Sequence, residues 1–229
     1  VVAFTQDWSE DARRRDFTVN AMSLSADGRL YDPFDGLADL ANGRVRFIGD
    51  ARRRILEDVL RILRFFRFEA RIGRGAPDRT ALDACRELAE RIDSLSGERV
   101  RDEFLRILRG PRLTGGDGMI LLMADLGVLD HVLGGVVDTG PFDALVAIET
   151  ELGIPDPERR LAVLAAVCGP AGDSIDHWRR RIERLRPSNQ MLARVAAVAE
   201  VAPRLPALPP TPLAARVAAY RDGVVTTRD

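Results

Sequence analysis

The stretch "ILEDVLRILRFFRFEARIG", residues 55–73, decides how this chain is read. Ile55, Leu56, Val59, Leu60, Ile62, Leu63, Phe66 and Ala70 recur at spacings of three and four. At ~100° per residue they form one broad apolar face, and the pattern predicts a helix over 52–71. Glu57, Asp58, Arg61, Arg64, Arg67 and Arg71 fall on the other side, with Phe65 and Phe68 among them. Such a strip is ordinarily solvated, its intrahelical pairs contributing about 0.3–0.5 kcal/mol each. Another use is open to it. Asp58 and Arg61 lie three apart and so share a helical face, with Arg64 three further on. Asp accepts hydrogen bonds and Arg donates them, so the pair could read the edge of a base as a complementary nucleotide does. An aromatic ring or guanidinium plane would complete that pocket by stacking.

The 229-residue chain is long enough for one large or two modest cores. Its 46% apolar and 30% charged residues describe a soluble globular protein. No apolar run approaches the ~18 residues needed to span a bilayer, and no secretory signal opens the chain. The first residue is Val1, and "VVAF" reads as the end of a strand, so the chain is expected to start mid-domain. The net charge of −1 conceals a local bias: residues 44–74 hold ten arginines and four acids. That is a patch of the kind that meets phosphate. Cys85 and Cys168 stand far apart, without zinc or disulfide spacing, and read as reduced core residues of a cytoplasmic protein.

The first ~40 residues differ from the rest. "SEDARRR" predicts a short helix capped by Ser9, and "MSLSADGRLYDPF" two short strands around an Asp27–Gly28 turn. From there the pattern is helical. Helices are expected near 52–71, 79–92, 97–109, 116–126, 141–152, 157–168, 174–184, 188–201 and 212–221, with "PRLPALPPTP" as a rigid connector. After residue 110 there are 13 arginines and 15 acids, so the basic bias belongs to the earlier helices.

Two further stretches carry chemistry. "RRRDFTVNAM" (13–22) sets Arg14 and Arg15, whose forks suit triphosphate or ribose, beside Asp16 and Asn20. Asp16 could orient an arginine, and Asn20 could bond backbone or a sugar hydroxyl. "YDPFDGLADLANGRVRFIG" (31–49) is a turn-rich link whose Asp32, Asp35 and Asp39 lack the spacing of an EF-hand and read as structural.

In this order the motifs resemble the class II tRNA nucleotidyltransferase and bacterial poly(A) polymerase family, which includes the CCA-adding enzymes. "RRDFTVNA" (14–21) is similar to that family's second motif and "DPFDGLADL" (32–40) to its third, with Asp35-Gly36 in place of Gly-Gly. "EDVLRILRFFRF" (57–68) resembles the base-reading fourth motif and "LSGERVRDEFLRIL" (95–108) the fifth. The resemblance implies a mainly α protein: a remnant of a small α/β nucleotidyltransferase head at 1–40, a helical neck at 41–110, and an RNA-binding helical body at 111–229 whose tail is truncated. It further implies that Arg15 contacts the incoming nucleotide and that Asp58 and Arg61 bond the Watson–Crick edge of ATP or CTP. Arg64 and Arg67 would sit around the same nucleotide, and Glu98 to Arg106 would buttress it.

Nucleotidyl transfer uses two carboxylate-held Mg²⁺ ions, and this chain contains no Asp-x-Asp. The expectation is therefore an interior piece of an enzyme that adds CMP and AMP to tRNA 3′ ends, inactive alone, with ATP, CTP and the RNA end as partners and no membrane. A poly(A) polymerase using only ATP, or a non-catalytic helical RNA-binding module, are the alternatives. His131 and His177 lack metal spacing and read as surface or capping residues.

Overall fold

A computed structural model describes residues 8–115, 118–135, 139–167 and 177–199. The "VVAF" strand, Cys168, the proline-rich connector and the 212–221 helix lie outside the described residues, as does the side chain of His177. The architecture is mainly α, with one two-stranded sheet among the described residues.

Helix α1 (Trp8–Arg14) leads to strands β1 (Ser23–Leu24) and β2 (Leu30–Tyr31), which pair antiparallel with Ser23 opposite Tyr31. The turn between them uses Gly28 at φ +85°, as Asp27–Gly28 predicts. Ser9 does not cap α1. It lies inside the helix, where its hydroxyl bonds the Tyr31 hydroxyl.

The link at 31–49 is more ordered than its turn residues suggest, because it contains α2 (Gly36–Asn42). Leu37 and Leu40 on α2 are exposed, so no apolar period announces it. What starts it is Asp32, which accepts from Gly36 N at 2.7 Å and Leu37 N at 2.9 Å. Asp39 is buried between Thr18 Oγ1 (2.6 Å) and Arg46 Nε (2.8 Å). Gly36 has steric work to do: a Cβ there would lie 2.3 Å from the Thr18 carbonyl oxygen, so only glycine lets α2 rest on the 3-10 turn at Thr18–Asn20.

The stretch at 55–73 is two helices, α3 (Ala51–Glu57) and α4 (Arg61–Ile72), and not the continuous helix its period predicts. Asp58 breaks it with extended backbone at φ −152°, ψ 106°. Its Oδ1 accepts from Leu60 N at 3.2 Å, and its carbonyl accepts from Arg61 N at 3.0 Å. Aspartate offers the backbone this local alternative to the helix. Burial departs from the predicted face on both sides of the break: Leu56, expected on the apolar face, is exposed, and Phe65, expected on the charged side, is fully buried.

Helix α5 (Arg79–Leu88) runs into a 3-10 segment at Ala89–Ser94, so the predicted helix to residue 92 changes form at its end. After α6 (Gly97–Ile107), the helix expected near 116–126 is α7 (Met119–Asp125), and a further helix that the sequence reading does not include, α8 (Val128–Leu133), follows it. Gly127, at φ +72°, separates them. Helices α9 (Gly140–Leu152), α10 (Pro157–Val167), α11 (His177–Arg184) and α12 (Asn189–Ala199) follow. Residues Leu161 to Ala165 of α10 are fully buried, which explains its weak amphipathicity: α10 packs against α6, α9, α11 and α12.

One apolar core extends from Phe17 to Ala199. The N-terminal segment joins it through Phe17, which is fully buried against Phe47, Phe65 and Phe68 at centroid distances of 4.7, 6.3 and 5.2 Å. His131 is held by Asp93 at 3.0 Å. Among the described residues, no helix is long and apolar enough to cross a membrane.

Glu69, on the inward side of α4, gives the fold a titration near neutrality. Burial raises its carboxyl to about 7, against the attraction of Arg112 at 3.7 Å, while Asp78 adds to the rise. Arg44 and Arg46 line the same hollow. A raised acid pKa means that the folded state binds the proton more tightly, so stability falls as pH rises from about 4.5 to 7 and is level above. Glu69→Gln is expected to be more stable than the parent by roughly 2–3 kcal/mol at pH 8, and equal to it near pH 4. Urea unfolding at the two pH values checks this, and a variant less stable than the parent at pH 8 would refute it.

Candidate functional site

The break at Asp58 opens a cleft of about 400 Å³ between the end of α1, the α3–α4 joint and α6. Its lining holds five arginines (14, 15, 61, 64 and 99) against two aspartates, Asp16 and Asp58, with Asn20 and Leu60. The surplus charge suits an anion of several negative charges.

Asp16 anchors the floor. It is 4% exposed and accepts from Phe17 N (3.1 Å), Asn20 Nδ2 (3.0 Å) and Arg64 Nε. Burial works to raise its pKa, but the hydrogen bonds from Arg64 and Asn20 outweigh it and hold the carboxyl below the usual aspartate value. Asp16 thus orients an arginine, and that arginine is Arg64, 48 residues away.

Arg61 is a strut across the helix break. Its NH1 donates to the Arg54 carbonyl at 2.7 Å, satisfying a carbonyl that the end of α3 leaves without a helical partner, and to Glu57 Oε2 at 2.8 Å. Its NH2 reaches the Arg14 carbonyl at 3.4 Å. Arg54 contributes to the same seam through the Arg14 and Arg15 carbonyls. The hydrogen bond from Arg61 holds Glu57 below the ordinary carboxylate range.

Asp58 and Arg61 line one cleft, but not as neighbours on one helical face. Asp58 turns to α6, where Arg99 NH2 donates to both its oxygens at 3.0 and 3.3 Å. Arg99 falls in the stretch expected to buttress the site, and no sequence signal singles it out as the partner of Asp58. Arg15, half-exposed at the mouth, is held by Asp11 at 3.0 Å and by the Asn20 carbonyl at 3.3 Å. Arg67 is not in this cleft. It turns to the fully buried Glu103 at 3.0 Å, lies over the Phe68 ring at 4.8 Å, and lines a separate hollow.

The cleft can therefore hold a polyphosphate against its arginines while Asp58 and Arg99 present an acceptor beside a donor. Among the described residues, no three His, Cys, Asp or Glu side chains gather to hold a metal.

The family profile described as "Poly A polymerase head domain" matches residues 1–46, and "Probable RNA and SrmB- binding site of polymerase A" matches residues 76–137. Mitochondrial CCA tRNA nucleotidyltransferase 1 of Mus musculus is 48% identical over 133 residues, which is 57% of this chain and 30% of the relative. The same-named protein of Danio rerio is 39% identical over 168 residues, 72% of this chain and 38% of the relative. The CCA-adding enzyme of Leuconostoc citreum is 41% identical over 109 residues, 48% of this chain and 27% of that enzyme. The chain thus spans roughly a third of the length of these relatives. In fold it is similar to the crystal structure of the Bacillus stearothermophilus CCA-adding enzyme in complex with CTP, at TM-score 0.72 and 24% identity, covering 99% of this chain and 55% of that one. It is also similar to the Thermotoga maritima CCA-adding enzyme complexed with tRNA, at TM-score 0.62 and 23% identity, covering 96% and 56%.

Proposed function

With a chain related in sequence and fold to the tRNA nucleotidyltransferase and poly(A) polymerase family as the premise, we propose that it selects nucleotides for template-independent addition to RNA 3′ ends. The substrates proposed are CTP and ATP, the acceptor is the 3′ end of tRNA, and the product is a CCA terminus. The observation that carries this is the convergence of Arg15, Asp58, Arg61 and Arg64 on one basic cleft.

Arg14, Arg15 and Arg64 would balance the triphosphate. Asp58 would accept from an exocyclic amino group, and Arg99 or Arg61 would donate to the adjacent ring nitrogen. Cytosine and adenine both present that amino-plus-acceptor edge, whereas guanine and uracil present a carbonyl beside an N–H. One acceptor–donor pair can thus admit two bases and refuse two. Transfer itself uses Mg²⁺ held by paired carboxylates. The residues present do not fit that ion pair: the chain has no Asp-x-Asp, and both cleft aspartates are committed to arginines. No bond-making step is therefore assigned to them, and this chain alone is proposed to bind nucleotide without transferring it.

Calorimetric titration with the four nucleoside triphosphates tests the reading. CTP and ATP are expected to bind in preference to GTP and UTP, and Asp58→Ala to lower that discrimination by about tenfold. Equal binding of all four would defeat it. Binding of ATP alone would favour the poly(A) alternative. If Asp58→Ala weakened RNA binding and left nucleotide choice unchanged, the chain would be an RNA-binding module instead. CMP incorporation into tRNA by this chain alone would overturn the assignment of binding without transfer.

A further inference from the structure

Arg67 points away from the cleft, and the hollow it lines is larger, at about 610 Å³. Arg67, Phe68 and Arg71 of α4 form one side, and Arg106, Arg109 and the Gly110–Pro111 turn after α6 form the other. Four arginines line the hollow, and two of them, Arg67 and Arg106, meet the fully buried Glu103 at 3.0 and 2.9 Å. Arg71 and Arg109 are exposed and make no hydrogen bond or ion pair with the described residues. Two cations are thus fixed in place by a shared acid while two stand uncommitted beside them, which leaves a strongly positive concavity with charge to spare.

Its position along α4 matters as much as its charge. Arg64 lines the nucleotide cleft and Arg67 the second hollow. Three residues of helix advance about 5 Å, less than the length of one nucleotide of extended strand. Arg67 also lies over the Phe68 ring at 4.8 Å, and aromatic rings and guanidinium planes are the groups on which unpaired bases stack.

We propose that Arg67, Arg71, Arg106 and Arg109 form a second anion site, which seats the backbone phosphates of a single-stranded RNA 3′ end next to the nucleotide cleft. This rests on the reading of that cleft as the nucleotide site. The ligand chemistry is phosphate, which inorganic pyrophosphate also presents, so both serve as probes.

The test uses the whole chain and a 5′-fluorescein single-stranded RNA of about six nucleotides, followed by anisotropy from about 50 to 200 mM salt. Arg71→Ala/Arg109→Ala, both exposed positions, is expected to weaken RNA binding about tenfold or more. It should also make the log–log salt dependence shallower by about 1.4, or 0.7 per lost contact. Circular dichroism confirms that the variant is folded, and Arg71→Lys/Arg109→Lys is expected to recover most of the affinity. Unchanged affinity and salt slope in the alanine variant would overturn the proposal, as would a parent chain that does not bind the RNA. So would pyrophosphate binding that depends on these arginines and is not displaced by RNA. Binding of CTP and ATP by the parent is measured separately. If RNA binding depends on Arg71 and Arg109 while nucleotides are not discriminated, the phosphate site stands and the nucleotide reading falls.

Discussion

Glu149→Ala is expected to lower unfolding free energy by about 3–5 kcal/mol, shifting the urea midpoint with little change in slope. Glu149 is 1% exposed and takes two buried arginines at once, Arg159 Nε on Oε1 at 2.8 Å and Arg160 Nε on Oε2. Oε1 also accepts from Asp156 N at 3.3 Å. The arginines carry the connection outward: Arg160 donates to the Leu108 carbonyl at the end of α6, and Arg159 to the Ile154 carbonyl at 2.6 Å. One carboxylate therefore joins α9, α10 and α6. Removing it takes a shared counter-charge from two guanidinium groups held out of water, and that loss is what costs so much. An apolar replacement of all three residues by leucine or methionine of similar volume should cost far less, because it buries no charge. If Glu149→Ala lost under about 1 kcal/mol, the triad would be a bystander.

The sequence announced such features unevenly. Charged residues in "PERRLAVLAAV" look like the solvated end of a helix, and their burial depends on Glu149, ten residues earlier in another helix. The same limit explains the cleft. Period and residue type placed Asp58, Arg61 and Arg64 together, and the structure does bring them to one cavity. It does so by breaking the helix that the period predicted, because the Asp58 side chain accepts from Leu60 N while Val59 and Leu60 still pack on the core. Hydrophobic periodicity is blind to a break whose flanking apolar residues still reach the core. Helix α2 was invisible for the opposite reason: Leu37 and Leu40 face solvent, and a capping aspartate starts the helix without an apolar stripe. Arg99 and Glu103 lie in the stretch expected to buttress the site, but no signal pairs them with Asp58 and Arg67, which are 41 and 36 residues away. Arg67 shares its spacing with Arg61 and Arg64, yet Glu103 turns it to the other hollow.

Arg64→Ala is expected to weaken CTP binding by at least about tenfold and to cost about 2–4 kcal/mol of stability at pH 7. Arg64 is the cation that faces Asp16 across the seam between the N-terminal segment and α4. Its loss leaves the Asp16 carboxylate with Phe17 N and Asn20 as donors, in a site where burial alone would raise its pKa. In the parent the folded carboxyl sits below the ordinary value, so its stabilisation is present above pH ~4 and is lost as pH falls through the lowered pKa. In the variant Arg64 no longer offsets burial, so the folded pKa rises from its lowered position. The stabilisation that the parent carboxyl gains above pH ~4 is then diminished. The gap between parent and variant should therefore be widest at neutral pH and narrow steadily below about pH 4. Lost packing of the Arg64 stem would give a gap independent of pH, so the slope separates the two causes. A further Asp16→Asn change in the Arg64→Ala background should restore part of the stability at pH 7, since no buried charge is left, but not the affinity for CTP. Recovery of nucleotide binding along with stability would mean that Arg64 acts only through the fold and makes no contact with the triphosphate.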